Sequence, residues 1–166
     1  IKNHIFKEQC DIVIFSDFRH GIFNNKSINE LNKSINKKIF KAADSQVATR
    51  WGDISKFKHF DLITPNEKEV RYSLSDQDSS ISEITRELQK KSSCKNLILK
   101  LGSKGVVVMG FEKNKKISLG IPAFTKNVID AVGAGDALLA YSSLSLYKTK
   151  SITISSILGS LAAACE

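Results

Sequence analysis

The chain has 166 residues, 42% of them hydrophobic and 25% charged, with 9 glycines and 2 prolines. That composition excludes collagenous, low-complexity and disordered classes. Its net charge of +8 is dispersed, with no run of five like charges, so nothing marks a nucleic-acid-binding stripe.

In chain order, Asp11–Ser16 is a short β-branched run that reads as a buried strand. Ser27 can cap a helix whose apolar positions Ile28, Leu31, Ile35, Ile39 and Ala42 recur at intervals of three and four. Val47–Thr49 is a weak strand signal, and Asp61–Thr64 is another, closed by Pro65. A short helix follows Asn66, and Ile81, Ile84 and Leu88 mark one face of the next. Asn96–Leu101 and Val106–Met109 read as strands around a glycine-bounded turn, Gly102–Gly105. Ile117–Leu119 returns as a hairpin whose tip is Lys113–Lys116. Gly133–Gly135 opens a helix carrying Leu138, Tyr141 and Leu144, and a last helix carries Ile154, Ile157, Leu161 and Cys165. Apolar strands alternating with amphipathic helices predict an α/β sandwich with a mostly parallel sheet covered on both faces. Ligands of such sheets sit at the carboxyl ends of the strands.

Three cysteines, Cys10, Cys94 and Cys165, lie far apart with no CxxC pair, which argues against a disulfide framework or a zinc site. No apolar stretch reaches the ~18 residues of a membrane span, and no signal-peptide pattern opens the chain. A reducing, cytoplasmic setting is expected, with no membrane and no nucleic acid as partners.

Three motifs fall at predicted strand ends. Asp130-Ala-Val-Gly-Ala-Gly-Asp136 places Gly133, Ala134 and Gly135 where a helix begins. Uncovered backbone N–H groups and the positive helix end there form an anion site. Asp136, in the first turn, can take the proton of an attacking hydroxyl. A plain glycine turn with a dipole-favoured aspartate has the same sequence. Asn66-Glu-Lys-Glu69 is a capping box by its spacing. It also places a carboxylate where a hydrated Mg²⁺ would be held. Lys100-Leu-Gly-Ser-Lys-Gly105 is either a tight turn or a close backbone approach to a nucleotide, with Lys100 or Lys104 near its phosphates.

Together the three motifs resemble those of the ribokinase-like (PfkB) carbohydrate kinases. Residues 130–136 look like the family signature Asp-Thr-x-Gly-Ala-Gly-Asp, with Ala131 in place of Thr. Asn66–Glu69 matches the family's Asn-x-x-Glu, and Leu101–Gly105 matches its glycine turn. Ile157–Cys165 is similar to the helix of small residues near the adenine. The resemblance implies a Rossmann-like three-layer fold, with ATP and Mg²⁺ as cofactors and Asp136 as base. It implies an anion hole at Gly133–Asp136, nucleotide contacts from Lys100, Gly102, Lys104, Gly105 and Asp130, and Mg²⁺ organised through water by Asn66 and Glu69. Ser16-Asp-Phe-Arg-His-Gly21 is similar to the Ser-Asp-Tyr-x-x-Gly of the heptose-phosphate kinase branch, which makes Asp17 a substrate-binding candidate.

The expected function is phosphoryl transfer from ATP to a hydroxyl of a sugar or sugar phosphate. The alternatives are a non-catalytic nucleotide-binding module and a basic nucleic-acid binder. The resemblance reaches only the later part of the family fold. Residues 1–166 therefore read as a single partial domain, and the start at Ile1 and the apolar run into Glu166 point to a piece of a longer protein. Such ends predict exposed apolar surface and self-association into a homo-oligomer.

Overall fold

The computed structural model describes residues 10–46, 52–125 and 133–166. One six-stranded sheet organises them: β1 (Ile12–Asp17), β2 (Phe40–Ser45), β3 (Leu62–Ile63), β4 (Asn96–Lys100), β5 (Val106–Glu112) and β6 (Lys115–Ile121), in that spatial order. β1 to β4 pair in parallel, while β5 and β6 run antiparallel to their neighbours. Lys113 and Asn114, both at positive φ, close the β5–β6 hairpin with the twist that favours a two-residue turn.

Helices cover both faces. On one face α1 (Asn25–Ser34), α2 (Glu67–Leu74) and α3 (Ile81–Ser92) bury Ile28, Leu31, Val70, Ile84 and Leu88 against Phe15, Ile63, Leu97 and Leu99. Phe15, Phe57 and Phe60 pack edge-to-face within that layer. On the other face α4 (Ala134–Thr149) and α5 (Ile152–Cys165) cover Ala42, Leu62, Ile98 and Val108. No described helix is long and apolar enough to cross a membrane.

The structure departs from the sequence reading in two places. The helix expected to carry Ile39 and Ala42 stops at Ser34, with Ile35 already extended. Asn24, not Ser27, is its N-cap, and Ser27 completes the capping box at the third helical position. Residues 40–45 instead form β2, paired with Ile12–Asp17. Ala42, Ala43 and Asp44 have weak strand propensity, so neighbouring strands decide their conformation.

The second departure is in α4 and α5. Tyr141 and Leu144 face solvent, as do Ile154, Leu158 and Leu161. The two helices meet through small residues, with Ser142, Ser143, Ser155 and Ser156 fully buried. Ser155 Oγ donates to Ser142 O at 2.8 Å, and a Cβ on Gly159 would press on Ser142 and on Leu138 O. Close backbone approach excludes the large side chains from the seam. The Val47–Thr49 strand expectation lies outside the described residues.

Candidate active site

The carboxyl ends of β2 and β4 and the amino ends of α2 and α4 converge at one edge of the sheet. α4 starts abruptly. Gly133 stands at its N-cap with φ 93° and provides no side-chain cap, and the first helical hydrogen bond runs from Ala137 N–H to Gly133 O at 2.8 Å. The helical ladder therefore has no acceptor for the N–H groups of Ala134, Gly135 and Asp136. Asp136 itself is exposed in this first turn.

Lys100 ends β4 facing this helix terminus. Its backbone N–H donates to Pro65 O at 2.8 Å, and it bridges to Asn66 in parallel register, so residues 64–66 continue β3 along β4. The Lys100 Nζ lies 3.4 Å from where a Cβ on Gly135 would stand. Gly135 thus sets the ammonium beside the first-turn amides of α4. Lys100 Nζ also pairs with Asp44 Oδ2 at 2.6 Å. Asp44 is 7% exposed. Burial raises its carboxyl above the ordinary value, Lys100 opposes that shift, and the charge of Asp136 adds to it. Sequence reasoning missed Asp44 because the strand that delivers it was read as helix.

Asn66 and Glu69 form a reciprocal cap at the start of α2. The Asn66 backbone N–H donates to Glu69 Oε2 at 2.8 Å, and Asn66 Nδ2 donates to Oε1 at 2.6 Å. Glu69 N–H returns a bond to Asn66 Oδ1 at 3.0 Å. Glu69 is buried, with both carboxylate oxygens engaged. Among the described residues no group of three or more His, Cys, Asp or Glu side chains is arranged to hold a metal. This donor set fits a Mg²⁺ held through water and nucleotide phosphates rather than by a protein cage.

The 3₁₀ turn Gly102–Lys104 joins β4 to β5, with Gly102 at φ 59° and Gly105 at φ 89°. A Cβ on Gly105 would strike Ile121 O and stand 2.6 Å from Ala123 N. Beside this turn lies a cavity of about 300 Å³. Its lining includes Lys100 and Gly135 together with apolar Val106, Phe124, Leu138 and Ala163. Such a lining combines a cation and first-turn amides, suited to an anion, with apolar side chains. Gly102 and Gly105 line the cavity, whereas Lys104 is exposed and does not. Asp130 lies outside the described residues.

Asp17 sits elsewhere. Two residues beyond Phe15, it shares the α1–α3 face of the sheet. Its Oδ1 accepts Arg19 N–H at 2.9 Å and its Oδ2 accepts Arg19 Nη1 at 2.6 Å. It lines a second cavity, with Arg19, Asp53 and Lys56, that shares no residue with the first. Asp136 is in the lining of neither cavity.

Comparison with known proteins gives a consistent result. A family model described as "pfkB family carbohydrate kinase" matches residues 8–166. The chain is 29% identical over 148 residues to the bifunctional protein HldE of Helicobacter acinonychis, covering 87% of this chain and 30% of that protein. Its fold is similar to phosphofructokinase-2 of Escherichia coli, with TM-score 0.80 and 17% identity over 98% of this chain and 53% of that one. It is also similar to an Arabidopsis thaliana ribokinase complexed with ribose and ATP, with TM-score 0.70 and 22% identity over 93% and 48% of the two chains. The chain thus spans about a third of the curated relative and half of the solved structures.

Proposed function

The chain belongs to the pfkB family of carbohydrate kinases, and on that premise we propose that it forms the nucleotide-binding and catalytic part of an enzyme transferring the γ-phosphoryl of ATP to a hydroxyl of a sugar or sugar phosphate. One observation carries the reading. The first turn of α4, at Ala134 and Gly135, and Lys100 line one cavity together with apolar side chains.

Each residue has a distinct part. The N–H groups of Ala134, Gly135 and Asp136 receive the phosphoryl oxygens and stabilise the charge that builds on them. Lys100 adds a cation beside those amides. The Gly102–Gly105 turn lets the backbone pass close to the nucleotide. Asp136, exposed beside the anion hole, accepts the proton of the attacking hydroxyl. Asn66 and Glu69 orient water around the phosphates. A bound Mg²⁺ would neutralise the β- and γ-phosphate charge as transfer proceeds.

The Ser16–Gly21 stretch supports a heptose phosphate as acceptor. Expressed from its complete reading frame, the protein is expected to label one sugar phosphate from γ-³²P-ATP in an acceptor panel. Absence of transfer to every acceptor, together with ATP-dependent thermal stabilisation, would instead support a non-catalytic nucleotide-binding module. The outward row of Tyr141, Leu144, Ile154, Leu158 and Leu161 supports self-association, read by sedimentation velocity.

A further inference from the structure

The Lys100–Asp44 pair stands inside the phosphate site, and the family reading leaves Asp44 without a role. Three observations bear on what the pair does. First, Lys100 Nζ has three protons and, among the described residues, one acceptor, Asp44 Oδ2. The ammonium stands 3.4 Å from where a Cβ on Gly135 would sit, close to the first turn of α4. Second, the other oxygen, Asp44 Oδ1, is buried with no hydrogen-bond partner among the described residues. Thr64 Oγ1, buried two residues beyond Leu62, is likewise unpartnered. A buried polar cluster left this incompletely satisfied has donor and acceptor positions open to water or a ligand. Third, Asp136 adds a second carboxylate whose field reaches Asp44. Lys100 is thus a cation paired with Asp44 and set beside the first-turn amides of α4.

We propose that Lys100 is a built-in counter-cation for nucleotide phosphate, held in place by Asp44, and that an arriving polyphosphate competes with Asp44 for the same ammonium. Asp44 is on this account a positioning residue: it acts through Lys100 and does not touch the nucleotide. The inference rests on the nucleotide reading above and adds to it that polyphosphate binds without a divalent cation. The two side chains then have opposite signs of effect. Lys100 attracts the phosphates, while the Asp44 carboxylate restrains the ammonium and repels them.

The test is titration calorimetry of the protein expressed from its complete reading frame with inorganic tripolyphosphate and with ATP, in EDTA and in Mg²⁺. Wild type is expected to bind tripolyphosphate in EDTA. Asp44→Asn is expected to bind it about threefold or more tightly, because the competing charge is gone. The double variant Asp44→Asn with Lys100→Met leaves neither charge buried alone, so it is expected to fold. It should bind at least about tenfold more weakly than Asp44→Asn, the loss of one charge-assisted contact. A purely structural pair would weaken binding in both variants. Weaker binding by Asp44→Asn, or equal binding by the two variants, overturns the proposal. Wild-type binding of ATP with Mg²⁺ but of neither ligand in EDTA overturns this inference alone. Binding of neither ligand in either condition overturns the nucleotide reading with it.

Discussion

Replacing Lys100 by Met probes the most buried ion pair of the site. The ammonium and the Asp44 carboxylate are 2.6 Å apart, with side chains 18% and 10% exposed. Met keeps most of the stem's volume, so the change is chiefly one of charge. It leaves Asp44 in the same low-dielectric position with no cation. Loss of one partner of a buried pair costs about 3–5 kcal/mol in general. The group's own chemistry sets a ceiling, because Asp44 can take up a proton instead of staying charged. At pH 7 the solution lies about three units above an ordinary aspartate value, and at about 1.4 kcal/mol per unit the penalty cannot exceed about 4 kcal/mol. Wild type already bears part of this, since burial raises the Asp44 carboxyl even with Lys100 present. Lys100→Met should therefore lose about 2–4 kcal/mol at pH 7. The sign of the pH dependence follows. A carboxyl raised in the folded state stabilises that state below its unfolded value, and the advantage is lost as pH rises. The deficit of the variant should thus shrink toward pH 4, where Asp44 is protonated, leaving less than about 1 kcal/mol of altered packing. Urea unfolding of both proteins from pH 4 to pH 8 measures this. A deficit that stays the same at every pH would refute the argument.

Gly105→Ala should destabilise the chain by at least about 2 kcal/mol, from its φ of 89° and the collision with Ile121 O, whereas Gly102→Ala, with open space around its Cβ position, should lose less; thermal melts rank the two. Asn66→Ala removes the cap of α2 and should cost about 0.5–2 kcal/mol in urea unfolding. Burial pushes the Cys94 thiol up to about 11, so an aromatic disulfide at pH 8 should label exposed Cys165 first and Cys94 only as the chain unfolds. By the same linkage, stability should fall by roughly 2–3 kcal/mol as pH rises from about 9 through about 11, a loss absent from Cys94→Ala.

What was legible in the sequence follows from where the information sits. Asn66 and Glu69 are three apart, and that spacing alone fixes their reciprocal hydrogen bonds. Gly102 and Gly105 mark positive φ, which few other residues tolerate. The family motifs carry their meaning in local order, and so they were readable. Asp44 was not, because its strand is made of residues that form strands only when paired on both sides. Nor was the outward orientation of Tyr141 and Leu144 readable from apolar spacing. The α4–α5 seam is chosen by how closely Ser142, Ser155 and Gly159 allow two backbones to approach, a property of the pair and not of either helix. The Lys100–Asp44 contact joins residues 56 positions apart, and it requires the sheet order to be known.

The account turns on Asp136 as the base beside a phosphate-holding helix terminus. Single-turnover transfer from γ-³²P-ATP, measured on the protein from its complete reading frame with its best acceptor, addresses that directly. Asp136→Asn should lower the transfer rate by about 10²–10⁴ while ATP affinity changes by less than about threefold. An unchanged rate in Asp136→Asn would contradict it.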